Sequence, residues 1–486
     1  MLLKKSRHIS KSPKLLVTSK KVRPIALATL VGGLVILGIF FIFFSHAASC
    51  TLMGDANCDG VVNIIDLSIL ASNWGNTTAT WNMGDFNGDG IVNILDLSIL
   101  AANWNQTSTS TYAVPSNIPA DCSVEVSAQL NAWIASVPDG TANAQTMIEF
   151  PANACYWVDN AVALGQIVVN QSNAPQNGRH YLYIEGNNAT LKAKNLAPVN
   201  TKRDELAIIS GSNITVHNLN ATGVNTVASY TPQYEHDANF SITGSHYVTL
   251  DDVHGSDAYG DCVDTGPAEF VWPDSEMVQN FTLKNSSCNT TGRMGIDCTG
   301  CNGFTVDHNS FDNIGYHAFD LEVEDATWQA HNVYFTNNTI GYVYLSAVSD
   351  AGQSYDQQNI NITGNNETSK AVTCYQPVYI DWGGTTENRP GPYVITGNHF
   401  NTASDVVWIN HANNVTVQNN TTTYWNGGCG HSGVEASSSV GGNVSNNDFT
   451  GEDTSYTNLD GLASGYTVCD NKLTPGGAFD QPAVCH

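Results

Sequence analysis

The sequence predicts a mostly β chain whose C-terminal three-quarters winds as a solenoid, preceded by a small all-α pair of repeats. Three observations predict it. A phrase of alternating β-branched or aromatic residues followed by Asn recurs every 22–34 residues beyond residue 213. A 21-residue segment appears twice at an offset of 30, with 16 identical positions. Charged residues make up only 13% of the 486, which suits turn-rich β structure better than helix. So long a chain is expected to form two or three units.

The N-terminus comes first. Eight of the 18 Lys and Arg lie within residues 1–24, where no acid occurs, so residues 25–486 carry 10 basic against 44 acidic side chains. Such a surface repels nucleic acid and anionic membranes, and it disfavours a polyanionic substrate unless bound cations screen it. Residues 25–44 are an uncharged run of 20, at about 1.5 Å per residue long enough to span a bilayer as a helix. The preceding basic residues predict a cytoplasmic N-terminus and export of the rest. Ser45 and Ala47 offer a signal-peptidase site, so residues 25–47 read either as a cleaved signal peptide or as an uncleaved membrane anchor. Cys50 after small residues is a weak lipoprotein-like feature. Export permits disulfides among the 12 Cys; Cys122–Cys155 and Cys469–Cys485 are tempting pairs, and Cys298-x-x-Cys301 reads as structural.

The repeats span residues 54–74 and 84–104, each opening with a 12-residue loop of EF-hand type. Oxygen ligands for Ca²⁺ are expected from Asp55, Asn57, Asp59, the Val61 carbonyl, Asn63 and Asp66, and from Asp85, Asn87, Asp89, the Ile91 carbonyl, Asn93 and Asp96. Gly60 and Gly90 allow the sharp turn. A helix is expected after each loop, with Leu67, Leu70, Ala71 and Trp74 on one apolar face and Leu97, Leu100, Ala101 and Trp104 repeating it. Neither helix can bury that face alone, so the copies are expected to pack as a pseudo-twofold pair.

This pair resembles the type I dockerin family over residues 53–105. Asp rather than Glu at the twelfth loop position, and no full helix entering the loop, carry the resemblance. It implies a cohesin partner on a scaffold or surface protein, of the kind that builds cellulosomes. The partner-selecting positions map to Ile64, Ile65, Ile94 and Leu95, where hydroxyl residues are frequent in the family. The resemblance therefore implies a more hydrophobic interface.

The segments in order are a basic region 1–24, the apolar segment 25–47, the calcium repeats 50–105, a linker 106–117 and the solenoid 118–486. A helix at 123–136 is expected to cap the solenoid. Ten apolar anchors mark its coils: Val216, Leu250, Leu283, Val306, Phe335, Ile362, Ile395, Val417, Val444 and Val468. Asn309, Asn338, Asn365, Asn398, Asn420, Asn447 and Asn471 share one register and are expected to stack as a buried amide ladder. A propeller or sandwich is the competing architecture. The pattern, with the opening F-P-A-x-x-x-Y and I-E-G-N-N-A-T-L, resembles the pectin-lyase-like superfamily over roughly residues 120–486. That resemblance implies a right-handed parallel β-helix.

A second strand precedes each phrase. One register holds Ser241, Asp264, Asp297, Asp320, Asp381, Asn410 and Glu435, with apolar neighbours of opposite parity, so the polar column is expected to face outward. Two positions earlier, Cys262, Gly295 and Ala318 are expected to leave room for a ligand, and Tyr379 and Trp408 to offer stacking surfaces for sugar rings. Asp264, Asp297 and Asp320 would lie about 5 Å apart between adjacent coils, or about 10 Å across two, separations used by retaining and inverting glycosidases. Glu322 shares the face of Asp320, and Arg293 is one of few exported cations.

Two enzymatic expectations follow, hydrolysis of O-glycosyl bonds or β-elimination on a uronan. The superfamily resemblance implies for a lyase an Arg base, here Arg293, with Ca²⁺ on Asp264, Asp297 and Asp320. The paired-Asp signature of polygalacturonases is absent; GDCVD at 260–264 only resembles it. Substrate contacts are expected from Tyr379, Asp381, Trp408 and Asn410. A non-catalytic carbohydrate-binding or adhesive solenoid is the alternative.

Overall fold

The computed structural model describes residues 52–106, 110–160, 162–164, 178–267, 277–323, 328–351, 356–369, 376–381, 389–401, 405–422, 432–450, 455–459 and 463–472. The basic segment 1–24 and the apolar run 25–44 lie outside them, as do Cys50 and Cys485. Among the described residues no helix is long and apolar enough to cross a membrane. The chain divides into two compact units, residues 1–106 and 107–486.

In the first unit the helices Ile64–Ser72 and Ile94–Ala102 follow the loops. Asn63 and Asn93 cap them, and Asp66 and Asp96 complete capping boxes by accepting from the cap backbone N–H, so one carboxylate serves both loop and helix. The repeats pack reciprocally. Gly84 holds φ 94°, and a Cβ there would stand 2.8 Å from Leu70 Cα; Gly54 repeats this at 3.1 Å from Leu100 Cα. Leu70 and Leu100 are buried with Val62, Phe86 and Val92. The expected apolar face is only half covered: Ala71, Trp74, Ala101 and Trp104 are exposed. The buried stripe instead rotates toward Asp66 and Ile69, because the loop carboxylate must turn inward.

The second unit is a stack of parallel strands. All ten apolar anchors are Cα partners from coil to coil, from Val216 opposite Leu250 to Val444 opposite Val468. The Asn ladder forms as expected. Each amide from Asn309 to Asn447 donates to the Oδ1 of the next at 2.8–3.1 Å, and that Oδ1 also accepts from the donor's own backbone N–H. A buried turn thereby satisfies its polar groups with its own copies. At the N-terminal end the expected helix is shorter, Ser127–Ser136, because Asp121–Glu125 pairs as a strand with Cys155–Trp157. Ser110–Ala113, inside the segment read as linker, pairs with Thr146–Glu149. Disulfides join Cys122–Cys155, Cys262–Cys288 and Cys298–Cys301.

Candidate functional site

The acids stand on an 11-stranded parallel sheet whose strands stack in strict chain order. Strands Asp237–Thr243, Val263–Gly266, Ile296–Asp297 and His317–Leu321 carry Ser241, Asp264, Asp297 and Asp320 as one row. The row then departs from the expected alignment. Ser346–Asp350 adds a strand with no acid at the row position, and Asp320 pairs with its Ser349. Ser349 pairs with Tyr379, Tyr379 with Trp408, and Trp408 with Glu435. Tyr379 and Trp408 therefore continue the acid row itself, while Asp381 and Asn410 lie two residues further on the same face. A two-residue shift preserves strand parity, so side-chain alternation alone could not detect it.

The small residues also serve another purpose. Cys262 is bonded to Cys288, a Cβ on Gly295 would meet Phe311 Cδ1 at 2.5 Å, and Ala318 is fully buried. They face an interior corner and leave no room for a ligand outside. Two consecutive residues, Cys262 and Val263, thus point inward, which breaks the alternation on which the expectation rested.

Side chains from five successive coils gather at this point. One carboxylate oxygen each of Asp261, Asp264 and Asp297 lie within 4.8 Å of one another. Lys202 Nζ sits 2.5 Å from Asp264 Oδ2, which also accepts from Ser241 Oγ at 3.1 Å. Arg293 Nη1 donates to Asp261 Oδ2 at 3.0 Å, and Nη2 pairs with Glu322. Asp297 Oδ1 accepts from the Thr265 backbone N–H at 2.6 Å. Asp297 and Asp320 are 1% and 5% exposed, so the column lies off the core yet is covered, not openly solvated. Asp320 Oδ1 has no hydrogen-bond partner among the described residues.

These surroundings split the acids. Burial raises Asp264, but the Lys202 ammonium and the bonds from Lys202 and Ser241 outweigh it and hold this carboxyl below its ordinary value. Burial, then repulsion from Asp264 and Asp261, pushes Asp297 well above the carboxylate range. Burial and Glu322 raise Asp320 in the same way. Asp261 is pushed up to about 7 by burial, against the pull of Arg293. Arg293 loses some basicity to burial but gains more from Asp261, Glu322, Asp297 and Asp320, so it stays a guanidinium. His317, bonded to Ser346 through Nδ1, is lowered to about 3 by burial and Arg293 and is neutral.

Sequence reasoning missed Asp261 and Lys202. Asp261 stands three residues before Asp264 in GDCVD, a visible signal; Lys202 had only the scarcity of exported cations to mark it. A divalent cation does not fit the Asp261–Asp264–Asp297 cluster. Two of its three carboxylates already hold protein cations, which would repel the ion.

The calcium loops differ. Asp55 Oδ1 and Asp85 Oδ1 are buried with no hydrogen-bond partner among the described residues, as first-position ligands awaiting an ion would be. Residues 53–105 match the family model described as dockerin type I domain. This segment is a type I dockerin. Type I dockerins bind calcium, and the donor set of Asp55, Asn57, Asp59, Val61, Asn63 and Asp66, with its copy at Asp85, Asn87, Asp89, Ile91, Asn93 and Asp96, suits that ion. In the dockerin Ile64, Ile65, Ile94 and Leu95 are 50–62% exposed.

No curated protein sequence matches the chain. Among solved structures it is similar to a tailspike protein of E. coli bacteriophage HK620 in complex with pentasaccharide, at 11% identity and TM-score 0.51, over 76% of this chain and 68% of that one. It is also similar to the pre-mature bacteriophage phi29 gene product 12, at 13% identity and TM-score 0.48, over 72% of this chain. The match spans about half, 51%, of that phage protein's length. The A-module of a mannuronan C-5 epimerase from Azotobacter vinelandii aligns at 13% identity and TM-score 0.48, over 75% of this chain and 99% of the module. The tailspike match shows the fold alone, a mostly β structure of stacked parallel strands.

Proposed function

We propose that the protein is an exported polysaccharide hydrolase, held on a cohesin-bearing scaffold or surface protein by its dockerin. In this reading residues 25–47 direct export as a signal peptide or anchor, the two units join ahead of the strand Ser110–Ala113, and the coils that follow are right-handed. One observation carries the catalytic part. Two carboxyls with oxygens within 4.8 Å, Asp264 and Asp297, have environments that drive their proton affinities apart, Asp264 toward the ionised form and Asp297 toward the protonated one.

Their oxygens lie within 4.8 Å, nearer the about 5 Å of a double displacement than the wider spacing that leaves room for water. Asp297 gives its proton to the glycosidic oxygen as the C–O bond breaks, and the Asp264 carboxylate bonds to the anomeric carbon. Water, deprotonated by Asp297, then displaces Asp264 and releases a sugar of retained configuration. Lys202 keeps Asp264 charged. Arg293 pairs with Asp261 and Glu322 and pulls Asp297 and Asp320 down, but burial and the neighbouring carboxylates outweigh it. A lyase would need Arg293 as base, and its ion pairs hold its proton too firmly.

Burial of Asp297, 1% exposed, favours a second reading in which the row is a non-catalytic carbohydrate-binding or adhesive surface. A screen of the calcium-loaded chain on neutral and uronic polysaccharides separates the readings. Reducing ends without unsaturated products support hydrolysis, unsaturated products support elimination, and binding without cleavage supports the second reading.

A further inference from the structure

The acid row continues for three coils as a different surface. Tyr379 and Trp408 stack with ring centroids 4.9 Å apart and planes 8° from parallel. Asp381 accepts hydrogen bonds from the Tyr379 hydroxyl and the Asn410 amide, both at 2.8 Å. Glu435 follows Trp408 in the row. All five side chains are half-buried. Each ring covers one face of the other, which leaves aromatic edges beside fixed oxygen acceptors, a surface on which pyranose C–H groups can pack while the hydroxyls donate.

Charge decides which pyranose. Asp381 and Glu435 flank the aromatic shelf, and the five acids of the site precede it. Among the described residues, the cations recorded against these carboxylates are Lys202 and Arg293, and both are already ion-paired. A uronate laid on this row would bring its charge against like charges, with those two cations engaged. Partly buried charges are weakly screened by salt, so the repulsion would persist at physiological ionic strength. An uncharged ring meets no such repulsion.

We infer that Tyr379, Trp408 and Asp381 form a distal subsite for an uncharged polysaccharide running along the stack of coils, and that the site excludes polyuronates. Coils about 4.8 Å apart put Trp408 about 14 Å from Asp320, so a chain of several sugars is needed to fill both ends. The inference rests on the row being a carbohydrate site.

Affinity electrophoresis of the full chain bearing Asp297→Asn, with calcium present, tests it in gels containing xylan, mannan, galactan, mixed-linkage glucan, polygalacturonate or alginate. At least one neutral polymer should retard the protein. Trp408→Ala should weaken that retardation on the order of tenfold at unchanged melting temperature, and Trp408→Phe should restore most of it. Saturable binding to a polyuronate that Trp408→Ala removes overturns the substrate class. So does failure of every neutral polymer to retard the chain. Neutral binding indifferent to Trp408→Ala overturns the subsite. Failure of the catalytic reading appears separately, as turnover that survives Asp297→Asn.

Discussion

Replacing Asp297 by Asn changes one proton and almost nothing else. The amide keeps an Oδ1 that can accept from the Thr265 N–H now 2.6 Å away, and its size fits a site only 1% exposed. Lost is the proton delivered to the leaving oxygen, which as general acid catalysis contributes about 10²–10⁴ in rate, or about 3–5 kcal/mol of barrier. Reducing-end release from the natural polymer should fall by that factor. Aryl glycosides with acidic leaving groups, which need less protonation, should lose far less. Stability supplies the control. Because the folded state raises Asp297, it binds a proton that the unfolded chain has already released once pH passes the ordinary carboxylate value. Native stability from this group is therefore full below that value and lost as pH rises toward the folded one. The Asn variant escapes this loss, so its melting temperature should match or exceed the parent's at neutral pH. A correctly folded Asp297→Asn protein with undiminished turnover would refute the assignment.

Other outcomes follow from the same structure. Activity should be bell-shaped in pH, falling on the acid side as Asp264 is protonated below the ordinary carboxylate value and on the alkaline side as Asp297 ionises well above it, measured as kcat/KM against pH. Gly295→Ala should cost about 1–3 kcal/mol in urea unfolding, since its Cβ would overlap Phe311 and the Ala318 carbonyl; a change in sugar affinity at constant stability would instead mean that it faces the ligand. Asn365→Ala should cost about 3–6 kcal/mol, because it strips the Asn338 backbone N–H and the Phe335 carbonyl of buried bonds at 2.9 Å. Chelation with EDTA should erase the helical circular dichroism of the dockerin, whose Asp66 and Asp96 carboxylates sit fully buried beside the orphaned Asp55 and Asp85 oxygens; an unchanged spectrum would remove calcium from its folding.

Much of the solenoid was legible because its signals are local and repeated. Each anchor from Val306 onward, such as Ile362 or Val417, sits at a fixed offset from its ladder Asn, and the structure stacks both sets as the offset implies. The site was legible only in part. Asp264, Asp297 and Asp320 do share a row. The strand Ser346–Asp350 places Ser349 in the row, so no acid marks it, and matching acid to acid sets Asp381 where the structure sets Tyr379. The inward turn of Cys262 was hidden because strand alternation assumes a flat strand, and here the chain bends at a corner.

By itself the sequence determined the repeated parts: apolar anchors, turn amides from Asn309 onward, a run of three acids on the other strand, and twice over a loop of oxygens before a capped helix. Those properties depend on residues a few positions apart, where spacing fixes geometry. Only the tertiary structure decided which acid keeps its proton. Lys202 and Asp264 are 62 residues apart, and Arg293 reaches Asp261 and Glu322 from 32 and 29 residues away. Proton affinity answers to charges and burial within a few ångströms, and winding the chain alone brings those groups together.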